Sequence, residues 1–149
     1  MSRWVVVTGM GSLSPIGNSV PHFLNGLQEG RNGISKITHF DTTDFSVHIA
    51  GEVEINLEDH IDKKDLNRVD RYTALALIAS NEAVAQAGID DDDLDKNRIG
   101  VIIGSGIGGI NTFEEQHNRM LKSPRLVSPF FIPSMISDIA SGIISIKYG

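Results

Sequence analysis

Apolar positions along this chain follow two patterns: short unbroken β-branched runs, and longer stretches with helical spacing. Trp4, Val5, Val6 and Val7 form one run, closed by Thr8 and Gly9, and Ile99, Val101, Ile102 and Ile103 form a second, closed by Gly104. Neither alternates with polar residues. Both therefore predict strands buried on two faces, as in parallel or mixed α/β sheets. Residues 46–53 carry a weaker extended signal, with Val47, Ile49 and Val53 at even steps that would share one strand face.

The helical pattern is better punctuated. Ser19 reads as an N-cap, with Pro21 in the first turn and Phe23, Leu24 and Leu27 as the stripe of a helix that Gly30 to Gly33 ends. A longer helix is predicted from Asp62 or Asp65 to Gly88, the latter a C′ residue. Within it Ala74, Leu75, Ala76, Leu77, Ile78 and Ala79 are apolar all the way round, which requires burial on most sides. Thr112 and Glu115 have capping-box spacing for a helix ending near Leu121. Residues 123–133 read as a loop. A last helix over 135–147 carries Ile136, Ile139, Ile143, Ile144 and Ile146, with small Ala140, Ser141 and Gly142 between them. The order β, α, β, α, β, α, α is an α/β pattern without internal repeats.

Composition narrows the function classes. At 149 residues a single core is feasible without a metal or disulfide staple. A net charge of −6 opposes a broad phosphate-binding surface, so no nucleic-acid partner is expected. The absence of cysteine excludes a disulfide, a zinc-thiolate site and a thiol nucleophile within these residues. The N-terminal apolar run is too short for a signal peptide or a membrane span, so the expectation is a cytoplasmic protein without a membrane partner.

Candidate chemistry is sparse. Gly9-Met10-Gly11 follows a strand pattern, but the third small position is Ser14 before Pro15, and the next helix starts only near Ser19. A dinucleotide site would lack its helix N-terminus. Gly104-Ser105-Gly106-Ile107-Gly108-Gly109 has no Lys-Ser or Lys-Thr after it and no five-residue nucleophile elbow. It reads as a strand-to-helix turn whose backbone approaches something closely. His22, His39, His48, His60 and His117 have no metal-ligand spacing, and the acidic run at residues 90–93 with Asp95 lacks an EF-hand frame. No cofactor or metal is expected. Lys64, Arg68 and Arg71, spaced i, i+4 and i+7 beside Lys63, form a basic face, either solvated or a docking patch for an acidic partner.

Three motifs in order are more specific: residues 5–18 (Val-Val-Val-Thr-Gly-Met-Gly, then Ser-Pro-Ile-Gly-Asn), residues 104–109, and Ser128-Pro129-Phe130-Phe131-Ile132-Pro133. Together they resemble the β-ketoacyl-acyl-carrier-protein synthases, above all the type II enzymes of bacterial fatty-acid synthesis, from residue 4 to the last residue. The resemblance implies a thiolase-like fold, an α/β architecture layered αβαβα, of which this chain covers most of the first half. Residues 1–149 would be the N-terminal part of a synthase domain, incomplete before its nucleophile. A middle helical layer covered on both sides would account for the apolar stretch at 74–79.

The family reaction is a decarboxylating Claisen condensation of malonyl-carrier protein with an acyl-enzyme thioester. Its cysteine, two histidines and a supporting lysine fall beyond the segment resembling residues 142–149. The resemblance therefore places no catalytic residue in this chain and implies a fragment inactive by itself. The alternative is a non-catalytic companion of chain-length-factor type that heterodimerises with a true synthase. By resemblance Ile107 lines the acyl tunnel, and Phe131 reaches the partner subunit's tunnel across a homodimer interface. Lys64 and Arg68 face acyl carrier protein, while Asn67 stands where a further basic residue often lies.

Overall fold

The computed structural model describes residues 4–89 and 94–149, and its regular structure starts where the sequence places a cap. The Ser19 hydroxyl accepts the His22 backbone N–H at 3.3 Å, and Pro21 sits in the first turn of helix α1 (Val20–Gln28). Gly30 follows at φ +62°, in the left-handed region that a β-carbon disfavours. Strands β1 (Ile34–Lys36) and β2 (Ile49–Gly51) pair antiparallel, with Ser35 opposite Ala50. A 3-10 turn (Leu57–Asp59) leads into α2 (Lys63–Leu66) and α3 (Arg71–Ala87). After a second such turn (Lys96–Arg98) come α4 (Ile110–Lys122), a third turn (Pro124–Leu126), α5 (Phe131–Met135) and α6 (Ile139–Tyr148).

The core lies between α3 and α6. Ala74, Leu77 and Ile78 of α3 are buried with Ile61 and with Ile144 of α6. Ala140 is 0% exposed, so a small residue stands at a closely packed point of the last helix. α3 also receives the first glycine loop. A β-carbon on Gly9 would strike the Ala83 carbonyl oxygen, and one on Gly11 the Ala79 carbonyl oxygen. Those glycines therefore serve close approach to a helix. The Met10 N–H donates to Gln86 Oε1 at 2.6 Å, and the two Glu82 oxygens accept the Ser12 and Val20 N–H groups at 3.0 and 2.8 Å. Covered by α6 and by this loop, α3 meets the requirement that its apolar stretch set.

Several expectations are corrected. Neither residues 4–8 nor residues 99–103 pair with a strand among the described residues, and Val5 and Ile102 are 96% and 95% exposed. A β-branched run supplies strand propensity, but a strand exists only where a neighbour satisfies its backbone. β2 covers only part of the extended segment expected at 46–53, leaving Val47 and Ile49 exposed.

The helix expected from residue 62 or 65 to 88 breaks after Leu66. Asp70 is extended (φ −77°, ψ 161°), and its side chain takes the Tyr72 N–H, a competing local bond that starts α3 anew. Arg71 consequently leaves the face of Lys64 and Arg68 and donates to the Val53 carbonyl oxygen at 2.6 Å. The capping box at Thr112 and Glu115 does not form. α4 begins at Ile110, Thr112 turns to Asp70, and Glu115 pairs with Arg119 one turn on.

The expected loop at 123–133 contains the start of α5, where Pro133 is tolerated because a first-turn N–H has no helical partner. The last helix begins at Ile139, not 135. Asp95 caps the second 3-10 turn through the Asn97 N–H, and residues 90–93 lie outside the described residues.

Candidate functional site

A buried carboxylate organises the region where the candidate residues meet. Asp70 is 5% exposed; its Oδ1 accepts the Tyr72 N–H at 3.2 Å, and its Oδ2 accepts the Thr112 N–H and hydroxyl at 2.8 and 2.7 Å. The N-termini of α3 and α4 therefore share one anionic cap, placed where both helix dipoles favour it.

The second glycine motif is seated against this cap. Gly108 has φ +83° and takes the Ser105 hydroxyl oxygen on its N–H at 2.9 Å. The Gly109 N–H donates to the Met135 carbonyl oxygen at 2.8 Å. A β-carbon on Gly109 would strike the Ser134 carbonyl oxygen and come 3.0 Å from Asp70 Oδ2. This is the close backbone approach that the glycine spacing implied, and α5 is what approaches.

Ile107 stands on this turn, 71% exposed, in an open apolar groove with Ile110, Phe113, Met135 and Ile136. Phe131, half buried, has its ring centroid 6.3 Å from that of Phe113, which in turn stacks on His117 at 6.2 Å. Phe113 thus joins the two candidate pocket residues, since it lines the groove beside Ile107 and touches Phe131. Sequence reasoning passed over it, although Ile110 and Phe113 at i and i+3 mark one apolar face of α4. Buried Gln116 was also missed. Its Oε1 accepts the Ser128 N–H at 2.7 Å and so fixes the entry to the Ser128–Pro133 motif.

Lys64 and Arg68 are exposed and enter no ion pair among the described residues, whereas Lys63 meets Glu58 at 3.5 Å. The Arg68 guanidinium lies over the Phe130 ring, 5.4 Å from its centroid, and the Arg68 carbonyl oxygen accepts the Ser134 hydroxyl at 2.8 Å. Arg68 also borders a hollow lined by Glu58, Asp59, Asp62 and Asp65, so the patch is mixed in charge. All five histidines are exposed. Among the described residues no His, Cys, Asp and Glu side chains gather in a group of three or more able to hold a metal, and no helix is long and apolar enough to cross a membrane. The arrangement is one of apolar groove, basic side chains and rigid backbone ties.

Comparison with known proteins bears on this geometry. Residues 2–149 match the family described as beta-ketoacyl synthase, N-terminal domain. A 3-oxoacyl-[acyl-carrier-protein] synthase 2 of Staphylococcus aureus (strain N315) is 54% identical over 150 residues, 99% of this chain and 36% of that protein. A Synechocystis protein of the same description is 43% identical over 147 residues, 97% of this chain and 35% of that protein. The chain thus spans about a third of the length of these curated relatives.

Among solved structures, the ishigamide ketosynthase/chain length factor superposes with a TM-score of 0.77 at 26% identity, over 96% of this chain and 36% of that one. A beta-ketoacyl synthase from Burkholderia phymatum STM815 gives 0.77 at 23% identity, over 96% of this chain and 36% of that one. The latter likeness concerns the fold alone. The fold class is the layered α/β, thiolase-like one that the three motifs implied, and these residues belong to its first half. With residues 2–149 matched to its N-terminal domain, the chain belongs to the beta-ketoacyl synthase family.

Proposed function

We propose that these residues are the N-terminal part of a 3-oxoacyl-acyl-carrier-protein synthase, a cytoplasmic condensing enzyme of bacterial type II fatty-acid synthesis. The observation that carries this reading is the 54% identity, over 99% of the chain, to a 3-oxoacyl-[acyl-carrier-protein] synthase 2. In the reaction an acyl group is held as a cysteine thioester. Malonyl-carrier protein loses carbon dioxide, and the resulting carbanion attacks the thioester carbonyl. The thiolate leaves and 3-oxoacyl-carrier protein is formed. These 149 residues contain no cysteine, so in this reading the nucleophile belongs to another part of the enzyme, and the family resemblance puts the two catalytic histidines there as well. The isolated 149-residue chain is accordingly expected to be inactive.

What this segment contributes is substrate handling. Lys64 and Arg68 meet the acidic acyl carrier protein. Ile107 and Phe131 bound the acyl channel, Phe131 from across a homodimer interface. Support for joining these roles comes from Arg68 over Phe130, one residue from Phe131, and from Phe113 between Phe131 and the groove of Ile107. The runs at residues 4–8 and 99–103, unpaired among the described residues, pair in this reading with strands of the longer enzyme. The test is to supply the purified full-length protein with acyl- and malonyl-loaded carrier protein. A 3-oxoacyl-carrier product is expected, and its absence overturns the proposal.

A second reading, a non-catalytic partner of a true synthase, draws on the likeness to a ketosynthase/chain length factor structure at 26% identity. The residue at the strand-to-helix turn following this segment separates the two. Cysteine there supports the enzyme, and glutamine supports the companion.

A further inference from the structure

We propose that Asp70 is a positioning residue that holds the mouth of the acyl groove in register with the carrier-docking segment, an inference that rests on the synthase reading above. The Asp70 carboxylate is buried and has no cationic partner among the described residues. Its oxygens are used instead on two helices whose bonding residues, Tyr72 and Thr112, are far apart in sequence. On one side Arg68 lies two residues away. On the other, Gly109 closes the turn that presents Ile107, and Thr112 stands in the first turn of α4, which follows it.

Two further bonds tie the same short segment to α5 and its exit, and a third ties the Ile107 turn to α5. The Ser134 hydroxyl donates to the Arg68 carbonyl at 2.8 Å, the Gly109 N–H to the Met135 carbonyl at 2.8 Å, and the Tyr72 hydroxyl to the Ile136 carbonyl at 2.5 Å. Residues 68–72 are thus the common anchor of the Ile107 turn and of the helix that starts with Phe131. A carboxylate suits this place because it accepts from donors in two directions, whereas an amide would turn a donor toward one of them.

A cap that only stabilised the fold would affect all acyl substrates alike. A residue that sets the groove against the docking face discriminates, because a long chain must follow the whole groove and a short one does not. The experiment uses the full-length synthase with acyl-carrier substrates of graded length. Thr112→Val keeps the backbone N–H bond to Asp70 and deletes the hydroxyl bond, while Thr112→Ser restores it.

For Thr112→Val, kcat on the longest accepted chains is expected to fall about tenfold, in line with the cost of small misplacements, while short-chain kcat and the carrier KM change less than about twofold. Thr112→Ser is expected to recover the wild-type profile. A uniform loss at all lengths, a wild-type profile for Thr112→Val, or failure of Thr112→Ser to rescue overturns the proposal. Should Thr112→Val not fold, Asp70→Asn is read in the same way, and loss of folding in both assigns Asp70 to stability alone and overturns it too. A wild-type enzyme that forms no 3-oxoacyl product overturns the functional reading and this inference together. An active enzyme with a flat profile overturns only the inference.

Discussion

The Arg68 guanidinium lies 5.4 Å from the centroid of the Phe130 ring, so a side chain assigned to carrier docking rests on the motif assigned to the acyl channel. The contact is between residues far apart in the chain, and it follows from the Ser134–Arg68 bond that seats α5 against the segment preceding α3. That proximity frames the expected behaviour of variants.

Charge reversal at both Lys64 and Arg68 in the full-length protein is expected to raise KM for carrier-linked substrate by about tenfold at low salt, with a smaller effect as screening increases. Steady-state kinetics across ionic strength would check this. An unchanged KM would remove the patch from the docking surface.

Ile107 projects into an open apolar groove, so Ile107→Phe adds volume where an acyl chain would pass. The longest chain accepted should shorten, while the shortest substrates are spared. A product-length profile identical to wild type would exclude Ile107 from the channel.

Gly109→Ala forces a methyl group against the Ser134 carbonyl and the Asp70 carboxylate, and a cost of about 1–3 kcal/mol is expected from overpacking. Gly104→Ala, where no atom lies within 4 Å of the added carbon, is the internal control. Denaturant titration of the two variants should separate them. Equal stabilities would mean that the turn relaxes freely around residue 109.

Glu52 supplies a pH-dependent tie across the small sheet. The Thr38 hydroxyl, donating at 2.7 Å, holds the Glu52 carboxyl below its ordinary range; burial opposes this, and the Thr38 and His39 N–H groups and nearby His39 assist. Because the folded value is depressed, the stabilisation is present above the ordinary carboxylate range and is lost as pH falls through the lowered value. The stability gap between wild type and Glu52→Gln should therefore narrow on acidification. A gap independent of pH would show that Glu52 contributes no such linkage.

Local signals were legible wherever a backbone group is satisfied by a residue nearby in the chain. Ser19 capping α1 and Gly88 closing α3 at φ +65° need only their immediate neighbours, and both stood in the sequence. The glycines at 108 and 109 announced close approach, though not what approaches, since Ser134 is remote from them, and the approach of Gly9 and Gly11 to Ala83 and Ala79 had no such signal. The apolar face of Phe113 could be read from its spacing to Ile110, but its position between the candidate residues could not. Its importance comes from lying between Ile107 and Phe131, not from its own helix.

By itself the sequence determined the Ser19 and Gly88 caps, the apolar stretch that α3 must bury, the absence of a thiol, and three ordered motifs sufficient to imply the family. Tertiary structure alone decided that Asp70 also caps α4 through Thr112, that Arg71 leaves the basic face for Val53, and that the β-branched runs at 4–8 and 99–103 stay unpaired among the described residues. The division has one physical cause. Propensity and capping act within a turn of chain, whereas a hydrogen bond between residues 70 and 112, or a strand ladder, depends on which distant donor the fold brings within 3 Å.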